Sequence, residues 1–223
     1  MILWKGESEF GGGPVAVIAT GLGKPSQNSK TGAMIQLWIL SQDVSPAEAV
    51  SCGSDYVVCG DCPLRGGHGC YVNVGQAPLA VWRKYRAGGY PKWEGQTFDR
   101  PVRLGAYGDM GAVPDWVVRR ILAHCEAGFT GYTHAWRDRP DLRECCMASV
   151  HSLAEADAAR SLGWRTFRTT DSYVDVGNQE VPCPSDMGVQ CAKCKMCDGV
   201  GSHVRSIVIE AHGSGKNKVV DLI

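Results

Sequence analysis

Two rhythms of apolar and polar residues alternate along this chain. Short β-branched or apolar runs at residues 34–40, 102–107, 129–134, 145–151, 164–169 and 205–211 read as strands. Residues 14–20 (PVAVIAT) read as a further strand. Between these runs lie stretches with apolar residues at helical spacing. Ser45-Pro46-Ala47-Glu48 supplies a capping Ser, a Pro at the first helical position and the Glu of a capping box. Residues 78–87 stop at Gly88-Gly89, residues 113–127 end at Gly128, and residues 153–162 end at Gly163. Strands alternating with helices predict an α/β fold with a parallel sheet of about six βα units. A partial (β/α)6 TIM-like barrel is the expected arrangement; a doubly wound open sheet would show the same order of elements.

A single domain over residues 1–223 accommodates this pattern, with Cys-rich loops at about 52–72 and 171–203. The stretch 170–202 breaks the alternation. It is long, has no periodicity and carries four cysteines. A metal can supply the order that a loop of that length otherwise lacks.

Charge removes some function classes. Lys plus Arg and Asp plus Glu both number 23, so the formal net charge is zero. Without a basic field nothing draws nucleic acid from a distance, and nucleic-acid binding is not expected. The longest apolar runs, 14–19 and 34–40, fall far short of the roughly 20 residues that span a bilayer. Residues 1–7 lack the basic start and apolar core of a signal peptide. The expectation is a cytoplasmic protein with no membrane attachment.

Eleven cysteines are many for such a compartment, because reducing conditions disfavour structural disulfides. Cys52, Cys125, Cys145 and Cys146 sit in or beside apolar stretches and read as small buried hydrophobes. The other seven fall in two polar, Gly/Pro-rich clusters. Cys191-Ala-Lys-Cys194-Lys-Met-Cys197 is a doubled CxxC step, and Cys183-Pro184 lies upstream. Such a step wraps three corners of a cubane and takes its fourth thiolate from a distant Cys, so a 4Fe-4S cluster is the leading expectation. Zinc is the alternative, although its sites more often use two separated CxxC knuckles; reduced thiols without metal are the third reading. Lys193 and Lys195 would offset cluster charge. The second constellation is Cys59, Cys62 and Cys70, within a Gly-rich loop. Three thiols leave one ligand position open or filled by His68, and suit a second cluster or zinc. Both groups can also meet around one site.

Polar residues recur where predicted strands end: Tyr107 and Asp109, His134, Ser149 and His151, Arg168 and Asp171, Glu210 and His212. That face hosts the ligand in barrel and open α/β folds. Asp109 and His134 are the leading catalytic candidates, as groups that handle protons or hold substrate. Arg168 is the candidate for gripping a carboxylate or phosphate. Trp82, Trp116, Trp136 and Trp164 are assigned to packing. Residues 21–26 and 213–217 superficially suggest phosphate loops. Pro25 stands where Ser or Thr is required, and the second stretch is expected to have no helix after it.

The series CGDCP…CYVNVGQ, GAYGD, GYTHAW, CMASV, GWRTFR and CP…CxxCxxC followed by SIVIEAHG resembles a phage and prophage iron–sulfur protein family, from about Lys30 to His212. Its order is also similar to the radical S-adenosylmethionine architecture, with a Cys-bearing loop after the first strand of a partial barrel and an auxiliary cluster near the C-terminus. The resemblance implies a barrel, one or two iron–sulfur clusters and, for a phage-encoded protein, the host cytoplasm. This chain departs from that architecture's CxxxCxxC, having Cys59-x2-Cys62-x7-Cys70, and Gly105-Ala-Tyr-Gly-Asp109 replaces its GGE-type element. S-adenosylmethionine is therefore not counted among the expected cofactors. The expectation is an iron–sulfur protein, as a redox or radical-S-adenosylmethionine-like enzyme acting on a small molecule at the barrel mouth. Its rival is a zinc-stabilised binding protein for a host partner, without catalysis.

Overall fold

Every strand read from the sequence forms in the computed structural model, which describes residues 1–200, 205–213 and 216–220. The chain opens with β1 (Ile2–Glu7), β2 (Pro14–Thr20) and β3 (Ile35–Ser41). Three short helices follow: α1 (Pro46–Cys52), α2 (Tyr56–Cys59) and α3 (Ala77–Arg86). Next come β4 (Val102–Tyr107), α4 (Asp115–Leu122), β5 (Phe129–Thr133), β6 (Met147–Val150), α5 (Leu153–Ser161) and β7 (Thr166–Thr170). The chain continues with β8 (Glu180–Pro182), α6 (Cys191–Cys194), β9 (Ser206–Glu210) and α7 (Lys216–Val220).

The described strands make one nine-stranded sheet in the order β1-β2-β3-β4-β5-β6-β7-β9-β8. The β1–β2 and β2–β3 ladders are antiparallel, and every ladder from β3 onward is parallel. The fold is thus mixed α/β with a mostly parallel sheet. The parallel strands neighbour one another in chain order except where β8 lies outside β9, so all their C-terminal ends share one edge.

Several elements escaped the sequence pattern. β8 has only three residues and exists because Glu180, Val181 and Pro182 pair with Ser206, Ile207 and Val208. The edge strand β1 is held by a hairpin through Gly11, Gly12 and Gly13, all at positive φ. α4 is shorter than the apolar spacing suggested. Residues 123–128 leave the helix in successive turns that end at Gly128, whose φ is +93. A helix of five residues, α7, begins at Lys216 within the 213–217 stretch, where no helix was expected.

Two-residue alternation sorts each parallel strand into two faces. In β4, Val102 and Leu104 are fully buried while Arg103 and Gly105 between them are partly open. In β6, Ala148 and Val150 are buried and Ser149 is not. Val117, Val118 and Ile121 of α4 and Ala156 and Ala159 of α5 join Val102, Leu104, Ala148 and Val150 in the main core. In β7 the same alternation buries Thr166, Arg168 and Thr170 and leaves Phe167 and Thr169 on the other face.

Arg168 is consequently corrected from a ligand-gripping group to a structural one. Its Nε donates to Glu180 Oε1 at 2.9 Å and its Nη2 to Glu180 Oε2 at 2.8 Å. Both side chains are essentially out of water, at 3% and 0% exposure. Hydrogen bonds inside so buried a fork leave no face for a substrate, and the pair instead fastens the short β8 to the sheet across β9. Glu180→Ala should destabilise the fold by about 3–5 kcal/mol, because it strands a buried guanidinium. Replacing both partners, as Arg168→Met with Glu180→Leu, should cost less than the single change. Urea unfolding of the two variants checks this; equal losses would mean that the ion pair is not what holds β8.

Candidate functional site

A cavity of about 610 Å³ opens at the C-terminal edge of the parallel strands. Each strand from β4 to β7, and β9, sends residues into it: Arg103 and Tyr107, Thr130 and Tyr132, Ser149, Phe167 and Thr169, and Ile209. β4 reaches it through a bulge. Gln36 pairs with Arg103 but Trp38 pairs with Tyr107, so two steps along β3 match four along β4. Gly105 takes a φ of +71 there, and a Cβ at that position would stand 2.7 Å from the Gly108 carbonyl oxygen. Bulges of this kind re-aim the residues that follow, and here Ala106, Tyr107, Gly108 and Asp109 all face the cavity.

Both cysteine groups meet this space. Cys59, Cys62, Cys70, Cys183 and Cys191 line the large cavity, while Cys183, Cys191, Cys194 and Cys197 line a small one of about 20 Å³ beside it. The two groups, remote in sequence, therefore border adjoining spaces that share Cys183 and Cys191. All eleven cysteines are free thiols. Among the described residues no three His, Cys, Asp or Glu side chains form a group placed to hold one metal ion.

The first loop is pinned by Asp55, whose side chain is 1% exposed. It accepts from Arg65 Nη1 at 2.7 Å and from the Gly66 amide at 2.8 Å. Burial pushes the Cys59 thiol well above its usual range, and Cys62, Cys70 and the carboxylates of Asp55 and Asp109 add to this. Burial likewise pushes Cys62 up to about 12 and raises Cys70. His68, the ligand suggested by proximity in sequence, is exposed and does not line the cavity.

The second loop is tied down at three places. The Cys183 amide donates to Val208 O at 2.8 Å, prolonging the β8 ladder. The amides of Cys191 and Ala192 donate to the carbonyls of Lys30 and Thr31. Arg165, buried just before β7, gathers Asp198 and the carbonyls of Met196, Val200 and Arg205. Cys197 is buried beside Met147 and Ile207. Burial pushes its thiol up to about 12; a hydrogen bond with Tyr132 works the other way, and Cys183, Cys191 and Cys194 push it further up. Lys195, expected to offset cluster charge, lines the small cavity, but its Nζ donates to the Ala127 carbonyl at 3.1 Å.

Asp109 and His134 are brought together, as expected of a shared mouth, with His151 beside them. Asp109 Oδ1 accepts from the Gly111 amide at 2.8 Å and the Thr133 hydroxyl at 2.7 Å, and Oδ2 accepts from the His134 amide at 2.7 Å. Burial raises its pKa despite those bonds. Its carboxylate thus accepts three hydrogen bonds from the segments that end β4 and β5. His134 Nε2 lies 3.1 Å from His151 Nε2, with the rings stacked at 13°, and 3.9 Å from the Cys62 sulfur. His151 Nδ1 is buried without a hydrogen-bond partner among the described residues.

Sequence reading passed over Arg103, Tyr71 and Tyr132. Arg103 was detectable in principle: it stands between apolar Val102 and Leu104, hence on the face away from the core. No helix of the described residues is long and apolar enough to cross a membrane. No protein-family model, curated protein or solved structure matches the chain.

Burial lowers the His134 pKa to about 3, and His151 adds to the effect. Burial also lowers His151, against an opposing pull from Glu155. Both histidines are therefore neutral in the fold at neutral pH, whereas in the unfolded chain they titrate near 6.5. The unfolded state binds the extra protons as pH falls below that value, so stability is full above it and declines towards the folded pKa. In chelator-treated protein His134 alone should cost about 2 kcal/mol between about pH 6.5 and pH 5. Thermal unfolding across that range, compared with His134→Gln and His151→Gln, checks this; an identical pH slope in all three proteins would contradict it.

Proposed function

We propose that this chain is an iron–sulfur protein in which Cys183, Cys191, Cys194 and Cys197 hold a cluster at the wall of a small-molecule cavity. One observation carries the reading: two sequence-distant cysteine groups border adjoining cavities at the C-terminal edge of the parallel strands. The doubled CxxC step suits a cubane, and thiolates are its usual donors. The sequential order of β3 to β7 and β9 supports a partial (β/α)6 barrel, whose mouth is this edge.

Electrostatics favours metal ligation over the other work a thiol can do. A nucleophilic cysteine needs a lowered pKa. Here burial raises Cys59, Cys62, Cys70, Cys191 and Cys197. Such thiols stay protonated until a metal competes for the sulfur and releases the proton. Bound there, the cluster supplies one-electron chemistry. Around it the protein's own residues do simpler things. Tyr132 packs beside Cys197 and influences its thiol, the kind of neighbour that tunes a cluster. Asp109 locks the His134 backbone, and neutral His134 and His151 share one proton across their facing Nε2 atoms. Cys59, Cys62 and Cys70, with His134 beside Cys62, form the opposite wall, where a second cluster or substrate is seated. The compartment consistent with reduced thiols is the cytoplasm, of the host cell for a phage-encoded protein.

Protein purified under nitrogen should be brown, contain iron and inorganic sulfide, and bleach with dithionite. Cys183→Ala and Cys194→Ala should each remove the iron held by the second loop, and unchanged iron in both variants would refute the assignment. Colourless protein with stoichiometric zinc would replace it with a zinc-stabilised binding protein. Cys59→Ala should leave the second-loop iron in place.

A further inference from the structure

Arg103 sits in the cavity wall between the two cysteine groups. Its Nη2 donates to the Tyr71 hydroxyl, and its guanidinium lies 5.8 Å from the centre of that ring. No other hydrogen bond and no carboxylate within ion-pair distance engages it among the described residues. Three other arginines, by contrast, each engage several protein acceptors. Arg139 forks onto Asp141 and also reaches the carbonyls of Gly111 and Val113. Arg165 collects Asp198 and three carbonyls, and Arg168 forks onto Glu180. A guanidinium carries its charge at any physiological pH and presents a planar set of donors that matches a carboxylate or phosphate. Held half out of water with most of those donors unused, it is a cation waiting for an anion.

The rest of the wall defines the other end of the ligand. Phe167, Ile209, Leu64 and Val219 are apolar. Tyr107 also lines the cavity, and its hydroxyl is buried with no hydrogen-bond partner among the described residues, so a ligand polar group can satisfy it. A volume of about 610 Å³ is that of a site for one small molecule.

We infer that the cavity binds a small amphipathic molecule whose anionic group, a carboxylate or a phosphate, docks on the Arg103 guanidinium while its apolar body lies against Phe167 and Ile209. This builds on the proposed function by naming the class of ligand, and it assigns to Arg103 the grip that the sequence suggested for Arg168. The competing role for Arg103 is to balance the charge of the cluster thiolates through Cys191, which would leave the cavity indifferent to charge.

Titration calorimetry with benzoate, phenyl phosphate and neutral benzamide separates these roles, using the full-length protein with iron measured in the same samples. The wild-type chain should bind benzoate or phenyl phosphate at least roughly tenfold more tightly than benzamide, the value of a charge-assisted fork in a partly dry site. Preference between the two anions identifies carboxylate or phosphate as the natural group. Arg103→Gln should abolish the preference while keeping benzamide affinity, melting temperature and iron content. Arg103→Lys, which keeps charge but not the fork, should restore part of the preference. Equal binding of anion and benzamide by wild type, no binding of any probe, or a preference that survives Arg103→Gln would overturn the proposal. So would loss of iron in Arg103→Gln with the preference intact, which would make Arg103 a cluster counter-charge. Absence of iron from every sample would refute the cluster reading alone, since the comparison of benzoate with benzamide does not depend on iron.

Discussion

Parallel pairing from β3 to β9 is the constraint on which the rest of this molecule depends. It puts every C-terminal strand end on one edge, and two-residue alternation then gives each strand one face for the core and one for the cavity. The Cys-bearing loops leave from, or are tied to, that edge, so residues remote in the chain become walls of one space. The bulge at Gly105 adds the last element, turning the tail of β4 inward so that Tyr107 and Asp109 join the wall.

Buried cations organise this arrangement. Arg165 gathers the loop that carries Cys197, Arg168 fastens the strand that leads into Cys183, and Arg139 ties the turn after β4 to the segment following β5. Each of the three gives most of its donors to the protein itself, Arg165 keeping only its Nε without a partner among the described residues. They convert a loop-rich region with little apolar mass into a fixed frame, at the cost of desolvating charges that must remain paired. Arg103 is the exception that points inward unspent, and this difference in saturation separates a frame residue from a ligand-facing one more clearly than burial does.

The thiols follow a related logic. Burial and mutual proximity disfavour the ionisation of Cys59 and Cys62, and no cation close to either reverses that. Thiols held in this condition are poor nucleophiles and good ligands, because a metal ion is the partner able to take them as thiolates. The paired neutral histidines and the hydrogen-bonded Asp109 carboxylate belong to the same preference for neutral or satisfied groups around the space.

The sequence by itself determined seven of the nine described strands and the α/β class, because these rest on local periodicity and spacing, whereas Cys52, read as a buried hydrophobe from its apolar neighbours, is exposed. Cys145 and Cys146 are fully buried and the doubled CxxC step borders a cavity, as local pattern suggested. Tertiary structure alone decided which face each strand turns inward. In β4 the charged residue between apolar neighbours faces the cavity, as local pattern implies. In β7 the pattern is inverted, with Phe167 in the cavity and Arg168 buried, because Glu180 from a three-residue strand arrives to pair with it. Proximity in sequence also favoured His68 beside the first thiols, whereas the sheet brings His134 and His151 there from two later strands. Those outcomes depend on contacts between residues far apart in the chain, which local periodicity does not encode.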